Sequence, residues 1–362
     1  MAAPLLSRRE WLAMSAAAAG ATALPAQALT RDIRLSLNEN AWGPSPHVAP
    51  AIAGAANGIE RYVDQSEVDA LARQIAALER VSPDQVVLGE VLEPLGLYLA
   101  RQRPGGGSIV FSTPGYTALV DAAAPLGGKG VGIPLNPQLE NDLPALAAAI
   151  DATTLAVSLV NPHNPSGTVN DAGAFDRFVL NAAAKTLVVV DEAYLEYDDL
   201  AARSAIRHVR GGANVLVFRT LAKIYGLAGL SIGYAVAPAT LAAGLRAAGF
   251  GAPHSLSRVA LAAGAASLAD QDHVRRVRTA VARERARLIA SLDRQGFRHT
   301  DSKANFIFFR PSEPAALRRR FAAAGIAIAR PFPPLEDWLR ITVGTTSEND
   351  RVIAVLDRTT GN

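Results

Sequence analysis

Seven short apolar runs, rich in β-branched residues, recur through the middle of this chain at 86–88, 109–112, 130–134, 155–160, 187–190, 215–218 and 232–237. The stretches between most of them are rich in alanine and leucine. A strand that is apolar at nearly every position, rather than at every second one, is buried on both faces, and intervening helices supply the cover. The pattern predicts an α/β fold built on a mainly parallel seven-stranded sheet. From about residue 272 the pattern changes to a long arginine-rich amphipathic segment, an apolar run at 305–309, a further helix ending near residue 321 and a last run at 339–343. That order predicts a smaller α+β domain. The expected division is a large domain over 57–271, a small one over 272–362, and an arm over 29–56 that joins the small one. The alanine-rich stretch 145–152 reads as a helix, with Pro144 suited to its first turn.

The first 28 residues read as an address rather than as structure. Arg8 and Arg9 precede Glu10, Trp11 and Leu12, an apolar small-residue stretch follows, and Ala26-Gln27-Ala28 forms an A-x-A cleavage pattern. The apolar stretch from Trp11 to Leu24 has 14 residues, short of the roughly 20 that cross a bilayer as a helix. The paired arginines resemble a twin-arginine export signal, which predicts a periplasmic protein with no membrane attachment after cleavage.

Composition narrows the chemistry further. The chain has no cysteine, which excludes disulfide scaffolds and cysteine-ligated zinc or iron–sulfur sites, and no other motif calls for a metal. A net charge of +3 is weak evidence for a nucleic-acid partner unless the basic residues cluster. The densest runs, Arg275, Arg276, Arg278, Arg283, Arg285 and Arg287, then Arg318 to Arg320, are interleaved with or flanked by acidic and apolar residues and read as solvated helix faces. Of 36 lysines and arginines only four are lysine, namely Lys129, Lys185, Lys223 and Lys303. Chemistry that needs a neutral amine therefore has four candidates.

Open parallel sheets bind ligands beyond the carboxyl ends of their strands. After the run 155–160 comes Asn161-Pro162-His163-Asn164-Pro165-Ser166-Gly167; after 187–190 comes Asp191-Glu192-Ala193-Tyr194; after 215–218 comes Arg219-Thr220-Leu221-Ala222-Lys223. Taken singly, these also describe a turn, a helix cap and a surface lysine at a helix start. Taken together, three consecutive strand ends deliver an amide, a carboxylate and an amine, spaced 27 and 32 residues apart, one crossover each. A desolvated lysine can lose its proton and form a Schiff base with a carbonyl, which arginine cannot. A buried carboxylate suits a protonated pyridine nitrogen, and the Tyr194 and Asn164 side chains suit a ring's phenolic oxygen. The set describes a pyridoxal phosphate pocket.

At this point the sequence resembles the class I/II aminotransferases of fold type I, and among them the histidinol-phosphate aminotransferase group, over residues 35–350. The resemblance rests on Leu37-Asn38-Glu39-Asn40 with Gly43-Pro44-Ser45-Pro46, Arg61-Tyr62, Pro114-Gly115-Tyr116, the three strand-end motifs, Ala304-Asn305-Phe306 and Leu339-Arg340-Ile341-Thr342-Val343-Gly344-Thr345. It implies pyridoxal 5'-phosphate as cofactor, an amino acid and a 2-oxo acid as substrates, and a homodimer with shared sites. Lys223 then corresponds to the Schiff-base lysine, Asp191 to the pyridine partner, Asn164 and Tyr194 to the donors on the phenolic oxygen, and Tyr116 to the aromatic stacked on the ring. Tyr62 corresponds to a tyrosine reaching the neighbouring subunit's cofactor phosphate, Arg340 to the arginine that pairs with the substrate carboxylate, and Asn38 to a substrate-side residue. Decarboxylases, lyases and racemases share this residue set, and a non-catalytic amino-acid-binding descendant is a further class.

The resemblance fails at the phosphate. A serine usually precedes the Schiff-base lysine and an arginine follows it eight positions on; here those positions hold Ala222 and Ser231. Leu88-Gly89-Glu90-Val91-Leu92 replaces a glycine- and serine-rich turn. Thr220, Tyr62 and the backbone amides near Val91 and Leu92 remain as phosphate ligands, and Glu90 repels a dianion if it points inward. The expectation is weakened retention of the cofactor.

Overall fold

The computed structural model describes residues 33–103 and 105–357; the export signal expected over 1–28 lies outside them. The described chain contains twelve strands: β1 (Ile33–Leu35), β2 (Val86–Leu88), β3 (Ser108–Thr113), β4 (Lys129–Pro134), β5 (Thr154–Val160), β6 (Leu187–Asp191), β7 (Val215–Thr220), β8 (Gly233–Val236), β9 (Arg298–His299), β10 (Phe306–Arg310), β11 (Ile326–Ile328) and β12 (Leu339–Thr342). All seven apolar runs read from the sequence become strands of one sheet, in the order β2-β8-β7-β6-β5-β3-β4. The pairs β3 with β4, β3 with β5, β5 with β6 and β6 with β7 are parallel, and β8 runs against both β7 and β2.

The central strands are apolar throughout because they have no solvent face. Val188 and Val190 of β6 join one apolar cluster with Val215 and Val217 of β7. Leu187 and Val189 join a second cluster with Leu216 and Phe218. Successive side chains of a strand point to opposite faces, so these two clusters are the two covered sides of the sheet. Chain order moves outward from β3 to β4, then returns to β5 and proceeds the other way through β6 to β7. The carboxyl ends of β3 and β5 therefore flank a topological switch point, where such sheets open a crevice.

Two smaller sheets complete the strands of the described residues. One is antiparallel, in the order β12-β10-β9; the other pairs β1 with β11 in parallel, Ile33 opposite Ile326 and Leu35 opposite Ile328. The arginine-rich helix spans Gln271–Arg294, capped by the Asp270 carboxylate on the His273 N–H at 3.0 Å. Val274, Val277, Val281, Leu288 and Leu292 form its buried stripe. Its arginines are solvated or act as struts: Arg275 and Arg283 are exposed, Arg285 donates to the Ala304 carbonyl at 2.6 Å, and Arg287 bridges Glu284 and Asp350.

One local expectation needs correction. The alanine-rich helix covers Leu143–Ala148 rather than 145–152, because Asp142 caps the Ala145 N–H and Asp151 captures the Thr153 N–H at 2.7 Å, closing a turn where alanine propensity alone continues a helix. The alternative of a surface lysine at a helix start does not hold, since no helix begins at Lys223. Residues 221–232 are a loop returning the chain into antiparallel β8, pinned by the Leu221 N–H on the Ile232 carbonyl at 2.9 Å.

Candidate active site

A cleft of about 790 Å³ opens at the carboxyl ends of the central strands. Tyr116 reaches it from the turn after β3, Asn164 from the loop after β5, Asp191 from the end of β6, Thr220 from the end of β7, and Lys223 from the loop beyond. Asn38, Tyr194, Leu92 and Arg340 also line it. Of the residues singled out from the sequence, only Tyr62 and Val91 stand outside. Tyr62 is 89% exposed, and Val91 packs into the second apolar cluster at the start of the helix Leu92–Arg101.

Asp191 is buried at the end of a strand with no exposed residue. One carboxylate oxygen accepts the Ala193 N–H at 2.9 Å, which caps a turn and not a helix. Burial pushes this carboxyl up to about 7, with Glu90 and Glu192 adding to the rise and the Ala193 N–H and Lys223 opposing it. A cation seated against Asp191 restores its charge and is held in return. Lys223 Nζ donates to the Leu37 carbonyl at 3.3 Å and lies 5.7 Å from the centre of the Tyr194 ring. Its neighbours Leu221 and Ile224 are buried, so the amine projects from an apolar base.

Tyr194 is fixed by edge-on packing against Phe306, ring centres 5.1 Å apart, and its hydroxyl accepts from Asn38 Nδ2 at 3.1 Å. Asn38 adopts φ +56°, a left-handed conformation that asparagine tolerates better than most residues. It is locked there by Thr342 Oγ1, which accepts its N–H at 3.0 Å, and by Asn305 Nδ2 on its carbonyl at 3.1 Å. Tyr116 is about half exposed, and desolvation, aided by Asp191, pushes its phenol up to about 12.

Arg340, on β12, is 7% exposed and forms no ion pair among the described residues. Its Nη1 donates to Asn164 Oδ1 at 2.5 Å and its Nη2 to the Ser36 carbonyl at 2.9 Å, while Nε has no partner. The guanidinium lies 5.3 Å from the centre of the Phe306 ring and 5.0 Å from that of Phe332, and burial lowers it to about 10. A buried, uncompensated guanidinium beside a cleft is a receptor for a carboxylate.

The sequence reading missed Ser36, Leu37, Glu93, Arg330 and Phe332 as lining residues. Arg330 and Phe332 follow β11, which is three residues long, too short to announce a strand end. Ser36 and Leu37 act through backbone carbonyls, on which side-chain chemistry is silent.

An amine and a buried carboxylate from adjacent strand ends of such a sheet, brought into one cleft with an unpaired guanidinium, define an enzyme that works through a lysine-linked cofactor. Comparison with known proteins agrees. The sequence pattern of the family aminotransferase class I and II matches residues 30–356, and the chain belongs to that family. It is 35% identical over 327 residues to the histidinol-phosphate aminotransferase of Limosilactobacillus fermentum, covering 88% of this chain and 89% of that one. Identity is also 35% over 326 residues to histidinol-phosphate aminotransferase 2 of Caulobacter vibrioides, covering 89% and 85%. Among solved structures, histidinol-phosphate aminotransferase from Sinorhizobium meliloti in complex with pyridoxal-5'-phosphate superposes with a TM-score of 0.81 at 29% identity, covering 91% of this chain and 92% of that one. An L-threonine-O-3-phosphate decarboxylase from Porphyromonas gingivalis shares the fold at 21% identity, with a TM-score of 0.75 and 91% and 100% coverage. The protein is a pyridoxal phosphate-dependent aminotransferase.

The residues present fit the ring end of that cofactor: an amine to link it, a carboxyl whose charge a pyridinium restores, and hydroxyl and amide groups beside both. The end where the phosphate is expected is different. Thr220 Oγ1 donates to Glu90 Oε1 at 2.7 Å, Ser231 is exposed with φ +45°, and Ala222 offers no side-chain donor.

Proposed function

We propose that this aminotransferase exchanges an amino group between an amino acid and a 2-oxo acid in two half-reactions, with Lys223 as the linking and proton-moving group. When bound, pyridoxal phosphate supplies a carbonyl for the lysine and a ring that accepts the electron pair released at the substrate's Cα. Arg340 holds the substrate carboxylate in a bidentate pair, and Asn164 and the Ser36 carbonyl fix the plane of its guanidinium. Asp191 keeps a proton on the ring nitrogen. Tyr194 and Asn164 present polar groups to the ring's oxygen, Tyr116 covers one ring face, and Lys223 Nζ moves the proton between Cα and the cofactor carbon. The observation that carries this reading is the meeting in one cleft of Asp191 and Lys223, from two neighbouring strand ends of the large sheet, with Arg340 from inside β12 of the small one. Its test is an amino-donor and oxo-acid screen on protein supplied with cofactor. Turnover of no amino acid in that screen overturns it.

The histidinol-phosphate aminotransferase relatives support an amino donor with a polar or anionic side chain, but residues 1–28 argue against a role in cytoplasmic biosynthesis. We read those residues as a cleaved twin-arginine signal and the enzyme as periplasmic; supporting this, the family match begins only at residue 30. Folding before export suits an enzyme that takes up its cofactor inside the cell. Replacing Arg8 and Arg9 by lysine is expected to leave the protein in the cytoplasmic fraction, and unchanged fractionation counts against the signal. The exposed Tyr62, outside its own cleft, supports a homodimer in which it completes the partner's phosphate site.

A further inference from the structure

The phosphate end of the cleft turns on one hydrogen bond between residues 130 positions apart. Glu90 Oε1 accepts the Thr220 hydroxyl at 2.7 Å, and the same hydroxyl oxygen accepts the Ala222 N–H at 3.0 Å. Leu92, Glu93, Ala222 and Ser231 also line the cleft with them. Desolvation raises the Glu90 carboxyl above its ordinary value and Glu93 adds to the rise, while the Thr220 hydroxyl and Lys223 oppose it. Neither of the cleft's two arginines contacts Glu90 or Thr220: Arg340 donates to Asn164 and the Ser36 carbonyl, and Arg330 donates to the Pro331 carbonyl and lies over the Phe332 ring. A phosphate dianion entering here meets a carboxyl group that already holds the hydroxyl it needs.

We propose that Glu90 is an internal competitor for the cofactor's phosphate, an affinity-setting residue that must surrender Thr220 before the phosphate seats. This rests on the reading of the cleft as a pyridoxal phosphate site. The competition acts on the phosphate alone, so pyridoxal, with the same ring and carbonyl but no phosphate, is its control. Glu90→Gln removes the charge and keeps an acceptor for Thr220; Glu90→Ala removes both. Glu90 sits at the open side of the cleft, so neither change disturbs the core.

The experiment titrates cofactor-stripped wild type, Glu90→Gln and Glu90→Ala with pyridoxal phosphate and with pyridoxal, following the visible absorbance of the lysine-linked cofactor. Preference for the phosphorylated form, the ratio of the two Kd values, is expected to rise about tenfold or more in Glu90→Gln and further in Glu90→Ala, with pyridoxal affinity nearly unchanged. A general loosening of the site moves both affinities together and leaves the ratio where it was. An unchanged ratio, with both compounds still giving the absorbance, overturns the role of Glu90 alone. No absorbance with either compound in any of the three proteins overturns this proposal together with the assignment of the site.

Discussion

The two ends of the cleft are built differently. At the ring end, Asp191 and Arg340 are buried, Tyr194 is wedged against Phe306, and Asn38 is held in a left-handed conformation by contacts from two other segments. Each of these groups carries a cost of burial or strain that the surrounding contacts must meet. At the phosphate end, Glu90 and Ser231 are exposed and the hydroxyl fit to bind an anion is held by an acid. The difference teaches that reactivity and retention are separable in this enzyme. On the proposed reading of the site, the groups that make the lysine and the ring reactive are over-determined, whereas those that hold the cofactor are few and open to adjustment.

The sharpest way to break this comparison is at the ring end. Lys223→Ala is expected to abolish turnover and the visible absorbance together, measured by single-turnover kinetics and spectroscopy; residual turnover near the wild-type rate removes the lysine from the chemistry. Asp191→Asn is expected to lower kcat by about a hundredfold or more while the lysine-linked cofactor still forms. Arg340→Lys should raise KM for carboxylate-bearing substrates by roughly tenfold, because a point charge replaces a two-pronged donor.

Asp191 also gives a stability signature. In the folded, cofactor-free chain it holds its proton up to about pH 7, but when unfolded only to about pH 3.9. Its favourable contribution is therefore complete below about pH 4 and lost as the pH rises through 7. Asp191→Asn cannot ionise, so between about pH 5 and pH 8 it should lose less unfolding free energy than wild type, by roughly 2–3 kcal/mol in urea titrations. Equal losses would mean that Asp191 is ionised in the empty site. At the phosphate end, Ser231→Arg is expected to tighten pyridoxal phosphate about tenfold. Unchanged affinity there means that position 231 does not face the phosphate.

Much of this was legible in the sequence, for physical reasons that differ from element to element. The inner strands of the large sheet announce themselves because burial on both faces leaves few polar positions to blur them, as in Leu187–Asp191. Strands β1, β9 and β11 have three residues or fewer, too few to show any period. Lys223, Asp191 and Asn164 could be found because strand ends converge by topology, and Arg340 because an apolar strand brackets it. The Thr220 to Glu90 bond could not, since it depends on how two loops 130 residues apart come to face each other. Nor could the carbonyls of Ser36 and Leu37, which any side chain at those positions would present equally.

The reversal of β8 has a consequence for the lysine. A parallel strand after β7 would have required a crossover with its own helix laid across the sheet. Running back antiparallel, β8 lets residues 221–232 close as a short span with both feet anchored in neighbouring strands, by the Leu221 N–H on the Ile232 carbonyl at one level and the paired Thr220 and Gly233 at the next. Lys223 thus stands on a bridge anchored at both ends and not at the tip of a lever. Cofactor can come and go at the loosely built end of the cleft without the amine losing its aim.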